Sequence, residues 1–489
     1  MSQIFNQSLR SSIYSYIGVL IGFLNTSILL PNILTTTELG ILGLIKSYGM
    51  ILTSVFSLGF PIVIVRLFPR FKDEIKRHNG FGTVLLLLAL LSSVLLAIFF
   101  PIADWLIEYK TKANAPQFLA FIPFILPFSM VGICFIFLEY YSNALKKSTL
   151  GSFYKDLVQR IFILFSIGLY AYFSLRFNYF IQLYIASIAA ATLLIFSQLA
   201  LNKAFSFKVN WSIVRSHSKQ ALSVAGYGLA TNIGSILVIS IDSIMISYYW
   251  PSSDVGIYTT VFFFASLMLV PARSLSKIGT PFIAEFFTKN NVKGVESIYM
   301  KSILNQGVVG VFMFFNLIIL LPLIFVILPQ EFEAGKWVVF FIGLGNLAKL
   351  VTGLNFQVIN FSNYYKYNAA FIALYVITMI LLNLILVPIY GITGAAIASA
   401  VSSLIYSISG SVFLNRKFRM PVTENKLVSP AFVLLLIGSL VFVSSYFFWN
   451  WIISVILSAT FSLTSIAILY FKNYVPDLRA QLDKYISKN

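Results

Sequence analysis

The chain has 489 residues, 59% of them hydrophobic, with 34 Lys+Arg and 16 Asp+Glu. Soluble globular chains are about a quarter charged, so this composition excludes a multi-domain soluble protein; at about 20 apolar residues per spanning helix it supplies roughly fourteen spans. The net charge of +18 would point to nucleic acid in a soluble protein, but in so apolar a chain the position of the cations decides their meaning, and no nucleic-acid partner is expected.

Apolar runs such as Val84 to Phe100 are long and uninterrupted, which selects helices over the alternating strands of a membrane barrel. In chain order the expected spans are Ser11 to Leu30, Ile41 to Val65, Phe81 to Pro101, Phe118 to Leu145, Leu157 to Leu175, Ile181 to Leu201 and Ala221 to Tyr249. They continue with Ile257 to Phe287, Ile303 to Leu328, Trp337 to Phe361, Ala369 to Val387, Ile392 to Leu414, Leu427 to Phe448 and Ile452 to Phe471. The first is read as a retained helix, because it is longer than a signal-peptide core and no small-residue cleavage site follows. Pro61, Pro127, Pro271 and Pro322 fall inside spans longer than the hydrocarbon requires, which favours tilted or kinked helices around a cavity. Cys134 is the only cysteine, so no intrachain disulfide forms. His78 and His217 fall in basic loops, and no catalytic histidine is expected.

Lysine and arginine placement tests the span count independently. With the N-terminus inside, inner segments hold 24 of the 34 cations, among them Arg66, Arg70, Arg215 and Lys219, whereas outer loops hold Lys110, Lys112, Arg176 and Lys336. The asymmetry predicts an even number of spans with both termini cytoplasmic. Trp105, Trp250, Trp337, Trp449 and Trp451 fall at expected outer ends, where indoles straddle the interface. Six cations remain within or near spans: Lys46, Arg160, Arg273, Lys277, Lys301 and Lys349. Each needs an aqueous cavity, a partner or room to snorkel.

The chain also repeats itself. Thr37-Glu38-Leu39-Gly40-Ile41-Leu42 parallels Ser253-Asp254-Val255-Gly256-Ile257-Tyr258, and both helices run on to a Gly-x-Pro, at Gly59-Phe60-Pro61 and Gly279-Thr280-Pro281. Ile185-Ala186-Ser187 is echoed by Ile397-Ala398-Ser399. Two six-helix lobes follow, residues 1–210 and 211–415, with two further helices and a tail in 416–489. Repeats of even helix number keep one orientation, as in transporters with a site between parallel halves.

The acid-x-Gly-x-Tyr turn through Asp254 and Tyr258, the Leu39-Gly40-Ile41 start of the second span, and the stretch from Asn383 through Gly391, Gly394 and Ala395 to Ser399 resemble the polysaccharide transporter branch of the MOP superfamily. That branch contains the Wzx-type O-antigen and capsule flippases. The resemblance covers the whole chain in helix number, repeat and motif position. It implies an all-α membrane protein of about fourteen helices, a pair of six-helix lobes that moves an undecaprenyl-pyrophosphate-linked oligosaccharide to the outer leaflet by alternating access. Lipid II flippases and MATE drug exporters share the fold. Implied partners are the lipid-linked oligosaccharide, membrane lipids, and a polysaccharide polymerase or glycosyltransferase; a monomer is expected.

A diphosphate calls for cations. On the eighth helix Ser266, Arg273 and Lys277 share a face; both cations suit diphosphate contact, snorkelling being the alternative account. Basic residues on the first, second and eighth helices line the cavity in lipid II flippases, and by position these are Arg10, Lys46 and Arg273. Lys46 heads a stripe with Thr53 and Ser57; Arg10 suits an interfacial anchor equally. Asn346, Lys349, Gln357 and Asn360 form a stripe on the tenth helix that fits a lumen. Arg160 joins them from the fifth helix, or pairs with Asp156 one turn earlier. Asp242, on one face with Tyr227, Thr231 and Ser235, suits H⁺ or Na⁺ coupling or a salt bridge. Some lipid II flippases build a sodium site that Asp242, Asn383 and Ser399 match by motif position, although Val387 stands where a second acid would help. No cofactor and no metal are expected. The sequence has no Gly-x-x-x-x-Gly-Lys-Ser/Thr loop. The outer loop from Ile102 to Gln117 has only Asp104 and Glu108 for acid chemistry, so an enzyme is not expected. Six basic against three acidic intramembrane residues (Glu139, Asp242 and Glu285) favour an anionic cargo over organic cations.

Overall fold

The structure, a computed structural model, describes residues 2–471 apart from 72, 74–76, 112, 207, 422–424 and 448–449. Helix α1 (Ser2–Phe23) runs through a π-helical turn at Leu24–Leu29 into α2 (Leu30–Ile33). It is followed by α3 (Thr36–Phe56), α4 (Phe60–Phe71), α5 (Phe81–Thr111), α6 (Ile125–Ala144), α7 (Ser148–Ser152), a second π-helical turn at Phe153–Val158, α8 (Gln159–Phe173), α9 (Phe177–Leu201) and α10 (Trp211–Tyr249). Then come α11 (Ser252–Ser266), α12 (Val270–Thr288), α13 (Val292–Ile319), α14 (Leu321–Ile327), α15 (Lys336–Val351), α16 (Asn355–Phe361), α17 (Tyr367–Phe418), α18 (Asn425–Phe447) and α19 (Trp451–Phe471).

Among the described residues twelve helices are long and apolar enough to cross a membrane, and Phe432–Val443 in α18 is a shorter apolar helix. The protein is therefore an all-α, multi-pass membrane protein. The 52-residue α17 is two spans in one element. Tyr375 and Ser403 would lie about 42 Å apart on a straight helix at 1.5 Å per residue, yet their hydroxyls meet at 2.7 Å. The chain reverses at Gly391, whose φ of 54° and ψ of −133° suit only glycine. Gly394 then lies against the Leu386 carbonyl, and a Cβ there would sit 2.2 Å from that oxygen.

Several elements outrun their apolar stretches. Helix α10 begins at Trp211, ten residues before the expected span, because backbone hydrogen bonding continues through Arg215 and Lys219 once water takes over from lipid; His217 is therefore helical and not in a loop. Helix α5 likewise runs to Thr111 through most of the expected outer loop.

Two compact units emerge, Met1–Thr260 and Val261–Asn489, so the division falls within α11 and later than the 210/211 boundary drawn from the repeat. In the first unit, a capping box starts α3: the Thr35 hydroxyl accepts from the Glu38 N–H at 3.2 Å, and the Glu38 carboxylate accepts from the Thr35 N–H at 2.9 Å. The acid of the repeated motif is thus a helix cap. Leu58 and Gly59, both at positive φ, separate α3 from α4. Gly279-Thr280-Pro281, the sequence counterpart, stays helical within α12, and the break there falls earlier, at a 3₁₀ turn over Leu267–Leu269 before Pro271. The first unit's core gathers Phe68, Phe71, Phe81 and Tyr141, whose buried hydroxyl donates to the Ala204 carbonyl at 2.7 Å. In the second unit α13, α15 and α17 pack together, and the Asn316 carboxamide oxygen accepts from Ser458 at 2.7 Å and Ser462 at 3.1 Å, tying α13 to α19.

Candidate functional site

In the first unit the repeated motif folds against its own copy. A Cβ on Gly40 would stand 1.7 Å from the Ser252 carbonyl oxygen, and a Cβ on Gly256 would stand 1.9 Å from the Thr36 carbonyl oxygen. Each glycine faces the residue four positions before the other, the reciprocity of a two-fold contact made within one chain. Two residues beyond Gly256, the Tyr258 hydroxyl donates to the Asp242 carboxylate at 2.5 Å, and Asp242 is 3% exposed. Helix α10, the repeat's turn and α11 are thereby joined around a buried acid.

Lys46 is half-buried on α3, with its ammonium 4.7 Å from the ring centre of Tyr184 on α9, a cation held over an aromatic face. The stripe it heads does not stay open: Thr53 is buried and donates to the Ser129 carbonyl at 3.2 Å, and Ser57 bonds back to Ser54 at 2.9 Å. The Arg160 guanidinium donates to the Gly18 carbonyl on α1. Asp156 accepts from Ser15 at 2.6 Å, and Asn25 donates to the Arg160 carbonyl at 2.9 Å. Arg160 and Asp156 both reach across to α1, so these cross-helix contacts go beyond the simple intrahelical pair. The side chain of Arg10 lies outside the described residues, as does Trp449.

In the second unit Arg273 and Lys277 are exposed on one face of α12. Between them in sequence, Ser276 accepts from the Gln357 carboxamide of α16 at 3.3 Å, so the expected eighth- and tenth-helix groups adjoin. Asn360 is exposed one turn further along α16. Ser266 is half-buried and donates to the Phe263 carbonyl at 2.7 Å beside the 3₁₀ turn. Asn346 corrects the expected stripe. It is 5% exposed and donates to the Ala265 carbonyl at 3.0 Å, holding the end of α11, where an interrupted helix leaves carbonyls in need of donors. Lys349 sits 5.5 Å from the Tyr375 ring centre. Tyr375 stacks on Tyr406 at 4.8 Å, and Tyr406 on Phe356 at 3.8 Å with 7° between planes, a ladder behind the cation. Asn383 and Ser399 are buried on the two arms of α17, and Asn383 donates to the Met379 carbonyl at 2.9 Å.

The intramembrane acids are engaged. Glu139 pairs with Lys155 at 3.1 Å, Glu285 with Lys289 at 2.6 Å, and Asp242 accepts from Tyr258. Sequence alone does not place Tyr184, Tyr258 or Tyr375 in these arrangements. Tyr258 is only a letter of the repeated motif, and nothing in local sequence says which of 26 tyrosines meets a cation.

Residues 8–287, more than half of the chain, match the profile of a family described as polysaccharide biosynthesis protein. The chain belongs to that family. A relative of this polysaccharide biosynthesis protein is the "Probable low-salt glycan biosynthesis flippase Agl15" of Haloferax volcanii, 23% identical over 215 residues. That match covers 42% of the chain and spans about half, 45%, of the relative's length. Among solved structures, "Lipid II flippase MurJ, inward closed conformation" superposes with a TM-score of 0.68 at 14% identity, covering 94% of this chain and 99% of that one. An inward-facing multidrug resistance MATE family transporter of the MOP superfamily superposes at 0.63 and 12% identity, covering 86% and 94%. At such identities the likeness establishes that this family member has the MOP fold.

Proposed function

We propose that this protein is a flippase, without enzymatic activity of its own, that moves an undecaprenyl-pyrophosphate-linked oligosaccharide from the cytoplasmic to the outer leaflet of a bacterial inner membrane by alternating access. Family membership and a flippase relative support the transport class. The observation that carries the cargo's charge is the pair of cations on one accessible helix face. Arg273 and Lys277 are exposed along one face of α12 beside Gln357, and the acids Glu139, Asp242 and Glu285 each have a hydrogen-bonding or ionic partner. Guanidinium and ammonium groups suit a diphosphate, and Gln357 and Asn360 suit the sugar or its phosphate oxygens. An organic-cation exporter needs the opposite sign. A lipid II flippase would present the same cations and differ in the glycan.

Coupling to H⁺ or Na⁺ through Asp242, with Asn383 and Ser399, belongs to this reading, as do cytoplasmic termini, a monomeric state and recruitment of a polymerase or glycosyltransferase. The experiment is translocation of a fluorescent undecaprenyl-diphosphate oligosaccharide in proteoliposomes, comparing wild type with Arg273→Ala and Lys46→Ala at matched insertion. Loss of flipping in both variants supports the cationic path. Absence of flipping in wild type, together with transport of an organic cation, overturns it.

A further inference from the structure

A crevice of about 340 Å³ in the first unit lies between α4, α5 and the start of α10, and none of the candidate cargo contacts lines it. Its walls are Phe60 to Phe71 on α4, Phe81 to Leu91 on α5 and Trp211 to Leu222 on α10, apolar except for His217 and Ser218. Each wall covers eleven or twelve residues of helix, about 16 Å at 1.5 Å per residue, close to half of a hydrocarbon core about 30 Å thick. On α10 the wall lies largely ahead of the apolar span that begins near Ala221, so the slot runs from the cytoplasmic interface into the inner leaflet.

Cations flank the slot from the end formed by Phe71, Phe81 and Trp211. Arg66 and Arg70, one turn apart at the end of α4, are exposed, and so are Arg215 and Lys219, one turn apart near the start of α10. Arg70 also donates to Gln220, which pins α4 to α10 beside the mouth, and the His217 ring lies 6.0 Å from Phe71 within it. Among the described residues of the adjoining loop, Asp73 is the one acid. The Lys/Arg asymmetry assigns this end to the cytoplasmic side, where basic pockets between spanning helices bind anionic headgroups.

We infer that this crevice is a binding site for one anionic phospholipid of the inner leaflet, with an acyl chain in the slot and the phosphate held by Arg70 and Arg215. A length of about 16 Å and the flanking cations favour a phospholipid chain over a longer polyprenyl tail. The inference does not depend on what the protein transports.

The test is native mass spectrometry of the full chain after detergent exchange, with phosphatidylglycerol and phosphatidylcholine of identical acyl chains offered in parallel. Wild type is expected to retain one phosphatidylglycerol in preference to phosphatidylcholine, and Arg70→Gln/Arg215→Gln to lose that preference by roughly tenfold or more. Ala221→Trp, which fills the slot, is expected to lose retention of both lipids while eluting as a folded monodisperse species; if it does not insert, the charge variant decides alone. Equal retention of the two lipids by wild type, retention unchanged in Ala221→Trp, or displacement of the phospholipid by stoichiometric polyprenyl phosphate would each overturn the assignment, the last by giving the slot to a polyisoprenoid tail.

Discussion

Substituting Gly40 by alanine tests the reciprocal packing of the repeated motif. The added Cβ would stand 1.7 Å from the Ser252 carbonyl oxygen, whereas ordinary contact begins at 3.4 Å, so α3 and the start of α11 must separate by about 1.7 Å locally. The obstacle is backbone, which cannot rotate away as a side chain does. Overpacking of this kind costs about 1–3 kcal/mol, and alanine recovers at most about 1 kcal/mol in helix propensity. The net expectation is a loss of about 1–2 kcal/mol. At about 2–4 °C per kcal/mol for a unit of this size, the melting temperature should fall by roughly 2–8 °C. Gly168→Ala on α8 is the control, because no atom lies within 4 Å of its built Cβ; propensity alone should raise stability by about 0.5–1 kcal/mol. Thermal unfolding in detergent, followed by the rise in labelling rate of the partly buried Cys134 thiol as it becomes fully exposed, reads both variants. Equal melting temperatures for Gly40→Ala and Gly168→Ala would refute the close crossing.

Three further outcomes follow from the same geometry. Tyr375→Phe should cost about 1 kcal/mol by removing the 2.7 Å bond to Ser403, whereas Tyr375→Leu should cost more, by about 1–2 kcal/mol, because Lys349 loses its aromatic face and Tyr406 its stacking partner; melting temperatures of the pair separate the contributions. Gly391→Ala forces a Cβ into φ 54°, ψ −133°, and folded protein recovered from membranes should drop sharply; recovery equal to wild type would argue against the reversal of α17. Tyr258→Phe takes the 2.5 Å donor from buried Asp242 and should lower stability by about 1–3 kcal/mol, with Asp242→Asn as the partner variant in a double-mutant cycle; additive losses would show that the two side chains do not interact.

Helical class and multi-pass membrane character were legible in sequence, and span number approximately, because a bilayer reads composition locally: some twenty apolar residues must become a helix whatever their neighbours are. The repeat was legible too, since Gly40 and Gly256 sit in matching strings, but only the fold shows that the two strings pack on each other, with Glu38 serving as a cap. Helix breaks were half legible. Gly59-Phe60-Pro61 and Gly279-Thr280-Pro281 look alike as letters, yet only the first breaks its helix, because Leu58 and Gly59 take positive φ there. The fate of each polar side chain was not legible at all. Asn346 looked like a lumen residue and is a packing donor to Ala265, Lys46 and Lys349 lie over Tyr184 and Tyr375, and Arg160 reaches Gly18 on α1. Hydropathy is a property of a segment, whereas a hydrogen bond or a cation over a ring is a property of two segments. Which helices become neighbours is decided by close approach and small-residue packing along their whole length, and that exists only in the tertiary structure.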